Sequence, residues 1–504
     1  MKKFALLSVS DKKNISSLAA KLVESGYEIL ATGKTAKIIK DENIPCTLVE
    51  DYASFPEVFS GRVKTLQPRV FGGILMRRDN ENDIMEADKN GIFPIDVVCV
   101  NLYPFPEVVK KTDIDLQTKI ENIDIGGPSL IRAAAKNYKY VSVLTNPDQY
   151  DEFLSELASG EISLSTREKL ASAAFAHTAF YDTLVANFFE EEFKLPKEDF
   201  RVNVKLSSEL RYGENPHQQA ALYGDFYQHY EILHGKELSY NNIIDLNAAA
   251  EIVNDMEGIS CAIIKHTNPA GAAVAGSVYE AYVGALSCDP VSSFGGIVAF
   301  NQSVDLKTAE KMNEIFLEII LAPDFDDDAL EVLKKKKNRR LLKILKPDVS
   351  EFMFKSIPGG VIVQNKDLTK LNEDEFKVVT KRNFSSDELR DLKLAWIVCK
   401  HTKSNAIIYV KNGKTVGVGA GQMSRVDSTK IAARKAKEQN LDLNGAVAAS
   451  DAFFPFPDGV EEIAKNGITA IIQPGGSVRD DEVIAAADKL NLAMIFTGIR
   501  NFKH

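Results

Sequence analysis

The sequence has few cysteines, and their arrangement does not suit a metal site or a local cross-link. There are five in 504 residues, far apart and without a Cys-x-x-Cys pair. Cys99 and Cys399 lie inside the apolar runs DVVCV and WIVCK. This usage is typical of reduced core residues in a protein of a reducing compartment. We therefore expect free thiols and a cytoplasmic location.

The chain also lacks long apolar runs and an excess of positive charge. No stretch approaches the ~20 apolar residues of a membrane span. The apolar part of the N-terminus, MKKFALLSVSDKK, is too short for a signal peptide. The formal net charge of -10 argues against a nucleic-acid partner, because such partners select basic surfaces. Small anionic substrates remain compatible with this charge, since they need only a local cluster of donors.

The composition is otherwise that of a soluble globular protein, with 45% hydrophobic and 26% charged residues. In the first third, strand and helix patterns alternate, and Asp11 is placed to cap a helix that runs to about Glu24. Alternation of this kind predicts an α/β fold with a parallel sheet covered by helices. Its ligand site is expected beyond the carboxyl ends of the strands. The predicted strands are Phe4–Ser10, Tyr27–Leu30, Ile95–Leu102 and Tyr140–Thr145.

A long predicted helix over 165–193 precedes a polar stretch, 194–205, which predicts a domain boundary. We expect domains at 1–195 and 200–504. The second contains a weak internal similarity, here called the Lys-His-Thr echo, because Ile263–Asn268 resembles Val398–Asn405. In each, an apolar strand is expected to lead into Lys-His-Thr and then Asn. The echo is consistent with chance or with a duplicated unit.

The segment ATGKT is not a P-loop, because Glu28 stands where that motif needs a glycine. A Thr-Gly-Lys-Thr turn that opens a helix still offers N–H groups, hydroxyls and a cation to an anion. Ser8, Ser10 and Lys12 offer the same chemistry at the end of the first strand. Plain turn and cap roles explain each of these groups about equally well when it is taken alone.

Three further segments place polar side chains at predicted strand ends: GRVKTL (61–66), NLYP (101–104) and DIGGPS (124–129). In the last, a strand-like segment is expected to end and Pro128 suits the first helical position. A set of Lys, Tyr, Asp and Lys at one edge of a parallel sheet indicates proton-transfer chemistry.

SVSDK, GRVKTL, NLYPF and DIGGPSLIRAAAKN resemble the cyclohydrolase half of the bifunctional AICAR transformylase/IMP cyclohydrolase family, where AICAR is an aminoimidazole carboxamide ribonucleotide. The resemblance implies a methylglyoxal-synthase-like domain that closes a ring with loss of water. It implies four catalytic residues: Lys64, Tyr103, Asp124 and Lys136. It also implies substrate-binding residues: Ser10, Lys12, Thr32, Gly33, Thr35, Arg62, Thr65, Asn101, Gly126 and Gly127.

The chain departs from that family pattern at three positions. Lys34 stands where a second glycine is usual, and Gln67 and Phe71 stand where histidines are usual. Lys34 is expected either to add a phosphate contact or to point outward.

The second domain carries further polar and glycine-rich segments. His266, at a strand end beside Lys265, is the best catalytic candidate among the histidines, although a structural role explains it at least as well when it is taken alone. GVGAGQMSRVD is glycine-rich but does not fit the GxGxxG dinucleotide pattern. SDAFFPF packs three aromatics around a proline, as either core or a slot for a flat heterocycle.

RYGENPHQ, KHTNPAG, DPVSSFGG, GAGQMSRVDS, SDAFFPFPDG and QPGGSVRD resemble, in this order, the transformylase half of the same family. The resemblance implies a duplicated cytidine-deaminase-like fold without its zinc, and the only His-x-Glu, at His229, is not followed by Cys-x-x-Cys. It implies 10-formyltetrahydrofolate as co-substrate and a homodimer with transformylase sites at the subunit interface. The implied catalytic residues are Lys265, His266 and Asn405. The implied substrate-binding residues are Arg211, Tyr212, Phe294, Gly295, Arg425, Phe454, Arg500 and His504.

The sequence therefore predicts a bifunctional enzyme of de novo purine biosynthesis. It formylates AICAR to FAICAR and then cyclises FAICAR to inosine monophosphate (IMP). One alternative keeps only one of the two activities, which separate assays would reveal. Another is a nucleotide-binding sensor without turnover, which the presence of every expected proton-transfer residue disfavours.

Overall fold

The computed structural model describes residues 2–346 and 351–504. The chain divides into two compact units, Met1–Asn203 and Val204–His504. All five cysteines are free thiols, and four of them are buried. Within the described residues, no helix is both long enough and apolar enough to cross a membrane.

The first unit is built on a parallel sheet with strand order β3-β2-β1-β4-β5. Its strands coincide closely with those predicted from apolar runs, because each is buried between helices. The strands are β1 (Lys3–Val9), β2 (Tyr27–Ala31), β3 (Thr47–Leu48), β4 (Ile95–Asn101) and β5 (Ser142–Leu144). The helices are α1 (Ile15–Glu24), α2 (Gly33–Asp41), α3 (Val49–Ala53), α4 (Pro68–Leu75), α5 (Glu81–Asn90), α6 (Phe105–Val109), α7 (Leu116–Glu121), α8 (Gly126–Lys136), α9 (Tyr150–Ala158) and α10 (Leu164–Glu192), with a 3₁₀ turn at Pro147–Gln149.

Two local predictions in this unit are wrong. Asp11 does not cap α1, which begins at Ile15 after Asn14 in a left-handed conformation. The backbone N–H of Asp11 is instead bonded to Asn101, which holds residues 10–14 in the loop after β1. Pro128 is the third residue of α8, and a loop after α7 replaces the expected strand-like segment before it.

The second unit is dominated by a mixed sheet, in which the described residues form twelve strands. Two short hairpins accompany it, β6–β7 and β14–β15. The strands are β6 (Leu206–Leu210), β7 (Ala220–Tyr223), β8 (Tyr230–His234), β9 (Ile259–Lys265), β10 (Asn268–Ala275), β11 (Ile297–Phe300), β12 (Ile319–Ala322), β13 (Arg340–Ile344), β14 (Phe352–Ile357), β15 (Gly360–Asn365), β16 (Lys377–Val378), β17 (Ile407–Lys411), β18 (Lys414–Gly419), β19 (Val447–Ser450), β20 (Ala470–Gln473) and β21 (Ala493–Phe496). The helices are α11 (Phe226–His229), α12 (Tyr240–Asp255), α13 (Val278–Cys288), α14 (Pro290–Ser293), α15 (Leu306–Met312), α16 (Asp327–Lys334), α17 (Ser386–Lys400), α18 (Arg425–Glu438), α19 (Pro457–Lys465) and α20 (Asp480–Lys489), with a 3₁₀ turn at Glu373–Glu375.

The large sheet repeats one strand pattern on either side of its centre. Its order is β16-β21-β20-β19-β17-β18-β10-β9-β11-β12-β13-β8. Outward from the centre, each half has two antiparallel hairpin strands, then an antiparallel strand, then two parallel strands, and then an antiparallel edge strand. The hairpin β9–β10 therefore corresponds to β17–β18, and α12 corresponds to α17.

The Lys-His-Thr echo does not coincide with this repeat. Its first copy follows strand β9, as predicted, but Val398–Lys400 ends helix α17 rather than a strand. A short apolar run does not distinguish a buried strand from a buried helix segment, and here the run belongs to a 15-residue helix.

Candidate active sites

The first unit gathers polar side chains at the carboxyl ends of β1, β2 and β4, here called the carboxyl edge. Ser8 Oγ lies 2.8 Å from Thr32 Oγ1. Asn101 Oδ1 accepts the backbone N–H groups of Ser10, at 2.5 Å, and of Asp11, at 2.9 Å. These bonds join loops that are about ninety residues apart in sequence.

Two lysines approach the start of α2 at this edge. Lys12 Nζ donates to Thr35 Oγ1 at 3.0 Å and to the carbonyl of Val9. Burial lowers the pKa of Lys12, nearby Lys34 lowers it further, and Asp11 partly opposes the shift. Lys34 therefore adds to the positive potential around Lys12. Two cations beside the free N–H groups of a helix N-terminus suit a phosphate.

The loop that carries Lys64 and Thr65 closes against two glycines. A Cβ atom on Gly33 would lie 2.9 Å from Lys64 Nζ, and one on Gly126 would lie 2.7 Å from Thr65 Oγ1. Lys64 Nζ also donates to Glu57 Oε2 at 2.6 Å. The two glycines thus permit the close approach that places Lys64 at the carboxyl edge.

Asp124 lies where α8 begins. Its Oδ1 atom accepts the N–H of Gly127 at 2.7 Å. Burial raises the pKa of Asp124, while the backbone N–H groups of Gly127 and Tyr103 oppose that shift. Tyr103 itself is 55% exposed. A half-buried carboxyl and an exposed phenol on adjoining loops are suited to exchanging protons with a substrate.

Two of the predicted residues do not join this cluster within one chain. Lys136 is the last residue of α8, and eleven residues separate the helix ends by about 15 Å. It lies instead beside half-buried Phe71 and exposed Phe175 on an open, largely apolar surface. Arg62 is exposed and paired with Glu121.

In the second unit, Lys265, Phe294 and Gly295 meet at the edge where β9 ends and β11 begins, here called the hairpin edge. Lys265 Nζ donates to the carbonyl of Phe294 at 2.7 Å. Gly295 has φ +68°, and a Cβ atom there would lie 3.2 Å from Lys265 Nζ. The Phe294 ring is 60% exposed and contacts Phe316, with ring centroids 5.6 Å apart. An ammonium group and an exposed aromatic face are thus held side by side.

His266 and Thr267 form the two-residue turn between β9 and β10. Their φ angles are +50° and +61°. Positive φ is uncommon for non-glycine residues, and a β-branched residue such as threonine is an outlier there. The Asp245 carboxylate accepts both turn N–H groups, that of Thr267 at 2.7 Å and that of His266 at 3.2 Å. The His266 side chain remains exposed.

Asn405, Arg425 and Asp451 form a hydrogen-bonded group near the same edge. Asn405 Nδ2 donates to the carbonyls of Gln422 (2.9 Å) and Met423 (3.1 Å), and its Oδ1 accepts from Arg425 (2.9 Å). Arg425 also pairs with fully buried Asp451 at 2.7 Å. Both amide hydrogens of Asn405 are therefore occupied, which does not support the expectation that they orient a formyl oxygen.

The C-terminal residues are anchored next to Asn405. Ser404 and Lys503 exchange hydrogen bonds of 3.0 and 3.1 Å. Beside this anchor, the Arg500 guanidinium lies over the ring of Phe502, which contacts the ring of His504. Arg500 and His504 are thereby held near the hairpin edge.

The remaining predicted residues differ in their surroundings. Arg211 lies over the ring of Tyr212, in a loop whose Glu214 carbonyl accepts from Asn241 in the first turn of α12. That loop therefore contacts α12 at Asn241, one helical turn before Asp245. Phe454, in contrast, is 1% exposed in the apolar core. Its ring does not face solvent, so the expected contact with a heterocycle is not supported.

Sequence reasoning missed Glu57 and Asp245, which contact the predicted catalytic residues directly. Glu57 carries no local signal. Asp245 does, because Ser239 and Asp245-Leu246 recur at the same spacing as Ser385 and Asp391-Leu392. This second echo, unlike the Lys-His-Thr echo, coincides with the structural repeat of α12 and α17.

The fold and the two polar edges are those of an α/β enzyme with two candidate sites, one in each unit. Comparison with known families agrees. A model described as "AICARFT/IMPCHase bienzyme" matches residues 134–435, and one described as "MGS-like domain" matches residues 14–129. The chain belongs to the AICARFT/IMPCHase bienzyme family.

Relatives match along the full length. Proteins named "Bifunctional purine biosynthesis protein PurH" are 49% identical in Persephonella marina, over 99% of both chains. Those of a Thermoanaerobacter species and of Bacillus cereus are 50% and 49% identical over 100% of both chains. A solved structure titled "Crystal structure of ForH" is 39% identical over 37% of this chain and 96% of its own, with a TM-score of 0.35.

Proposed function

We propose that this chain catalyses the last two steps of IMP formation, in two separate sites. The second unit transfers a formyl group from 10-formyltetrahydrofolate to AICAR, and the first unit cyclises the product, FAICAR, to IMP. Full-length membership of the bienzyme family carries this proposal. The two clusters of proton-handling residues support it.

In the first unit, the carboxamide nitrogen of FAICAR attacks the formyl carbon, and the adduct loses water. Asp124 accepts a proton from the attacking nitrogen, since burial raises the pKa of its carboxyl and so makes its carboxylate more basic. Lys64 and Tyr103 stabilise the developing oxyanion and return a proton to the departing oxygen. Lys12, Lys34, Thr32, Thr35 and the start of α2 hold the phosphate.

Lys136 takes part in this site only if a second copy of the chain supplies it. The family resemblance implies both a catalytic Lys136 and a homodimer, and the length of α8 separates Lys136 from Asp124 within one chain. An open apolar surface around Lys136 agrees with contact between two copies.

In the second unit, the amine of AICAR attacks the formyl carbon of the folate. His266 accepts the proton that the amine loses, and Lys265 supports protonation of the departing folate nitrogen. Phe294 offers its exposed face to a flat ring. Asn405 acts through Arg425 and the glycine-rich loop, because its amide hydrogens are already bonded. Five free thiols agree with a cytoplasmic setting.

The decisive experiment incubates the purified protein with AICAR and 10-formyltetrahydrofolate and identifies the products. We expect IMP and tetrahydrofolate. Lys64→Ala should accumulate FAICAR, whereas His266→Ala should block its formation but still convert supplied FAICAR to IMP. Loss of both activities in either folded variant would contradict the assignment of separate sites, and failure to form IMP from supplied FAICAR would favour a single retained activity.

A further inference from the structure

Asp245 lies outside every predicted set, yet its carboxylate contacts the backbone of the proposed proton acceptor. It is the sixth residue of α12, and it accepts the N–H groups of His266 and Thr267 at the distances given above. Hydrogen bonds to a charged acceptor are stronger than neutral ones. The carboxylate therefore stabilises a turn in which the β-branched Thr267 adopts a disfavoured positive φ.

The repeat-related hairpin shows the same arrangement with a different turn. Asp391 is the sixth residue of α17, and its carboxylate accepts the N–H groups of Asn412 at 2.6 Å and Gly413 at 2.8 Å. The φ angles there are +52° and +75°. Asn-Gly is the favoured pair for a two-residue turn that needs positive φ at both positions. That turn lies at the opposite edge of the sheet, because β17 runs against β9.

The aspartate contact is common to both halves of the repeat, whereas the residues of the two turns differ. Both helices place an aspartate under a two-residue turn, but only the first turn carries His-Thr, in which the β-branched Thr267 adopts a disfavoured positive φ. Strained residues persist at functional sites when their surroundings hold them in place. Asp245 accepts both N–H groups of this turn, while the Thr267 hydroxyl and Asn268 Nδ2 donate to the His266 carbonyl.

We propose that Asp245 is a positioning residue for formyl transfer. By holding both turn N–H groups, it fixes the backbone from which the His266 imidazole projects toward the AICAR amine. It makes no contact with substrate itself. This inference rests on the proposed role of His266.

The test uses the full-length protein with Asp245→Asn, which preserves shape but replaces one acceptor oxygen with an N–H₂ donor that faces a turn N–H. We expect kcat for formyl transfer to fall about 10- to 100-fold, since a displacement near 1 Å has effects of that size. KM should change little, because the substrate-binding residues remain in place. Cyclisation of supplied FAICAR should be unchanged.

Two further variants separate positioning from plain stability. Asp391→Asn removes the equivalent contact at the opposite edge, so it should lower the melting temperature comparably while leaving kcat near the wild-type value. Adding Thr267→Gly to Asp245→Asn should recover part of the lost kcat, because glycine adopts positive φ without strain.

The inference is overturned if Asp245→Asn keeps kcat within about twofold, or if its loss matches that of Asp391→Asn and Thr267→Gly recovers nothing. His266→Ala distinguishes the role of His266 from that of Asp245. If His266→Ala retains formyl transfer, the proposed function of His266 is wrong. If it abolishes transfer while Asp245→Asn does not, only the positioning role is wrong.

Discussion

At the scale of single residues, burial at the carboxyl edge of the first unit shifts the pKa values of two side chains. Asp124 and Lys12 lie at one edge of one sheet, and burial shifts both toward the neutral form, raising the pKa of the acid and lowering that of the base. A bound phosphate would raise the pKa of Lys12 again and so favour its charged form. The raised pKa of Asp124 makes its carboxylate a better proton acceptor.

Asp124→Asn should therefore stabilise the first unit while it removes cyclisation. The folded pKa of Asp124 is raised, so its contribution to stability is present below the unfolded pKa and is lost as pH rises through the folded pKa. At pH 8 the asparagine variant should melt at a higher temperature than the wild type, and this difference should shrink toward pH 4.5. Cyclisation should fall about 10²- to 10⁴-fold. A lower melting temperature at pH 8 would contradict the burial argument.

The burial of His401 predicts that the stability of the second unit falls in acid. Burial lowers the pKa of His401, and Lys503 lowers it further, although a 2.9 Å contact with Asp255 and the charge of Glu251 oppose the shift. Because its folded pKa is depressed, His401 contributes stability that is present above its unfolded value of about 6.5 and is lost as pH falls from there through the folded pKa. His401→Gln should flatten the decline in melting temperature between pH 7 and 5.5. Exposed His217→Gln is the matched control and should leave that decline unchanged.

At the scale of elements, the duplicated hairpins share one arrangement, but only one of them carries a proposed catalytic residue. In each half, a helix that begins with a serine cap, Ser239 or Ser385, supports a two-residue turn from its sixth position. Since the turns lie at opposite edges of the sheet, only one of them meets the Phe294 loop and Lys265.

Two glycine substitutions should separate an effect on stability from an effect on formyl transfer. Gly413→Ala places a Cβ atom 2.7 Å from the carbonyl oxygen of Val274 at φ +75°. It should lower the free energy of unfolding by about 2 kcal/mol, yet leave formyl transfer per folded molecule unchanged. Gly295→Ala places one 3.2 Å from Lys265 Nζ and should lower kcat for formyl transfer. Denaturant titration and steady-state assays measure the two effects. Equal loss of kcat in both variants would contradict the separation.

At the scale of the whole molecule, the proposal that a second copy supplies Lys136 makes the cyclisation site a property of an assembly. If two copies exchange Lys136, a mixed dimer of Lys64→Ala and Lys136→Ala chains contains one intact site and one doubly altered site.

Co-expression of these two inactive variants should therefore restore about one quarter of the wild-type cyclisation rate, because about half of randomly formed dimers are mixed and each has one working site of two. Lys64→Ala paired with Tyr103→Phe is the control. Both changes affect the same chain's cluster, so no intact site forms and no activity should return. Absence of recovery in the first pair would remove Lys136 from the site.

Local pattern and motif order predicted much of this protein. Apolar runs in the first third marked strands β1, β2, β4 and β5, because a strand buried on both faces is apolar throughout. The motif series identified the family, and it named Lys64, Asp124, Lys265 and His266, which the structure places at two sheet edges. These features depend on neighbouring residues and on residue order, which a sequence carries directly.

The remaining features depend on contacts between distant segments. The pairing of Asp245 with a turn 21 and 22 residues later and the burial of Phe454 follow from how distant helices and strands pack together, whereas the length of α8 separates Lys136 from Asp124. A helix of given length then decides whether two motif residues meet or lie on opposite ends. The sequence alone thus determined the chemistry that is present, and the tertiary structure decided which groups act together, because proximity arises from packing rather than from position along the chain.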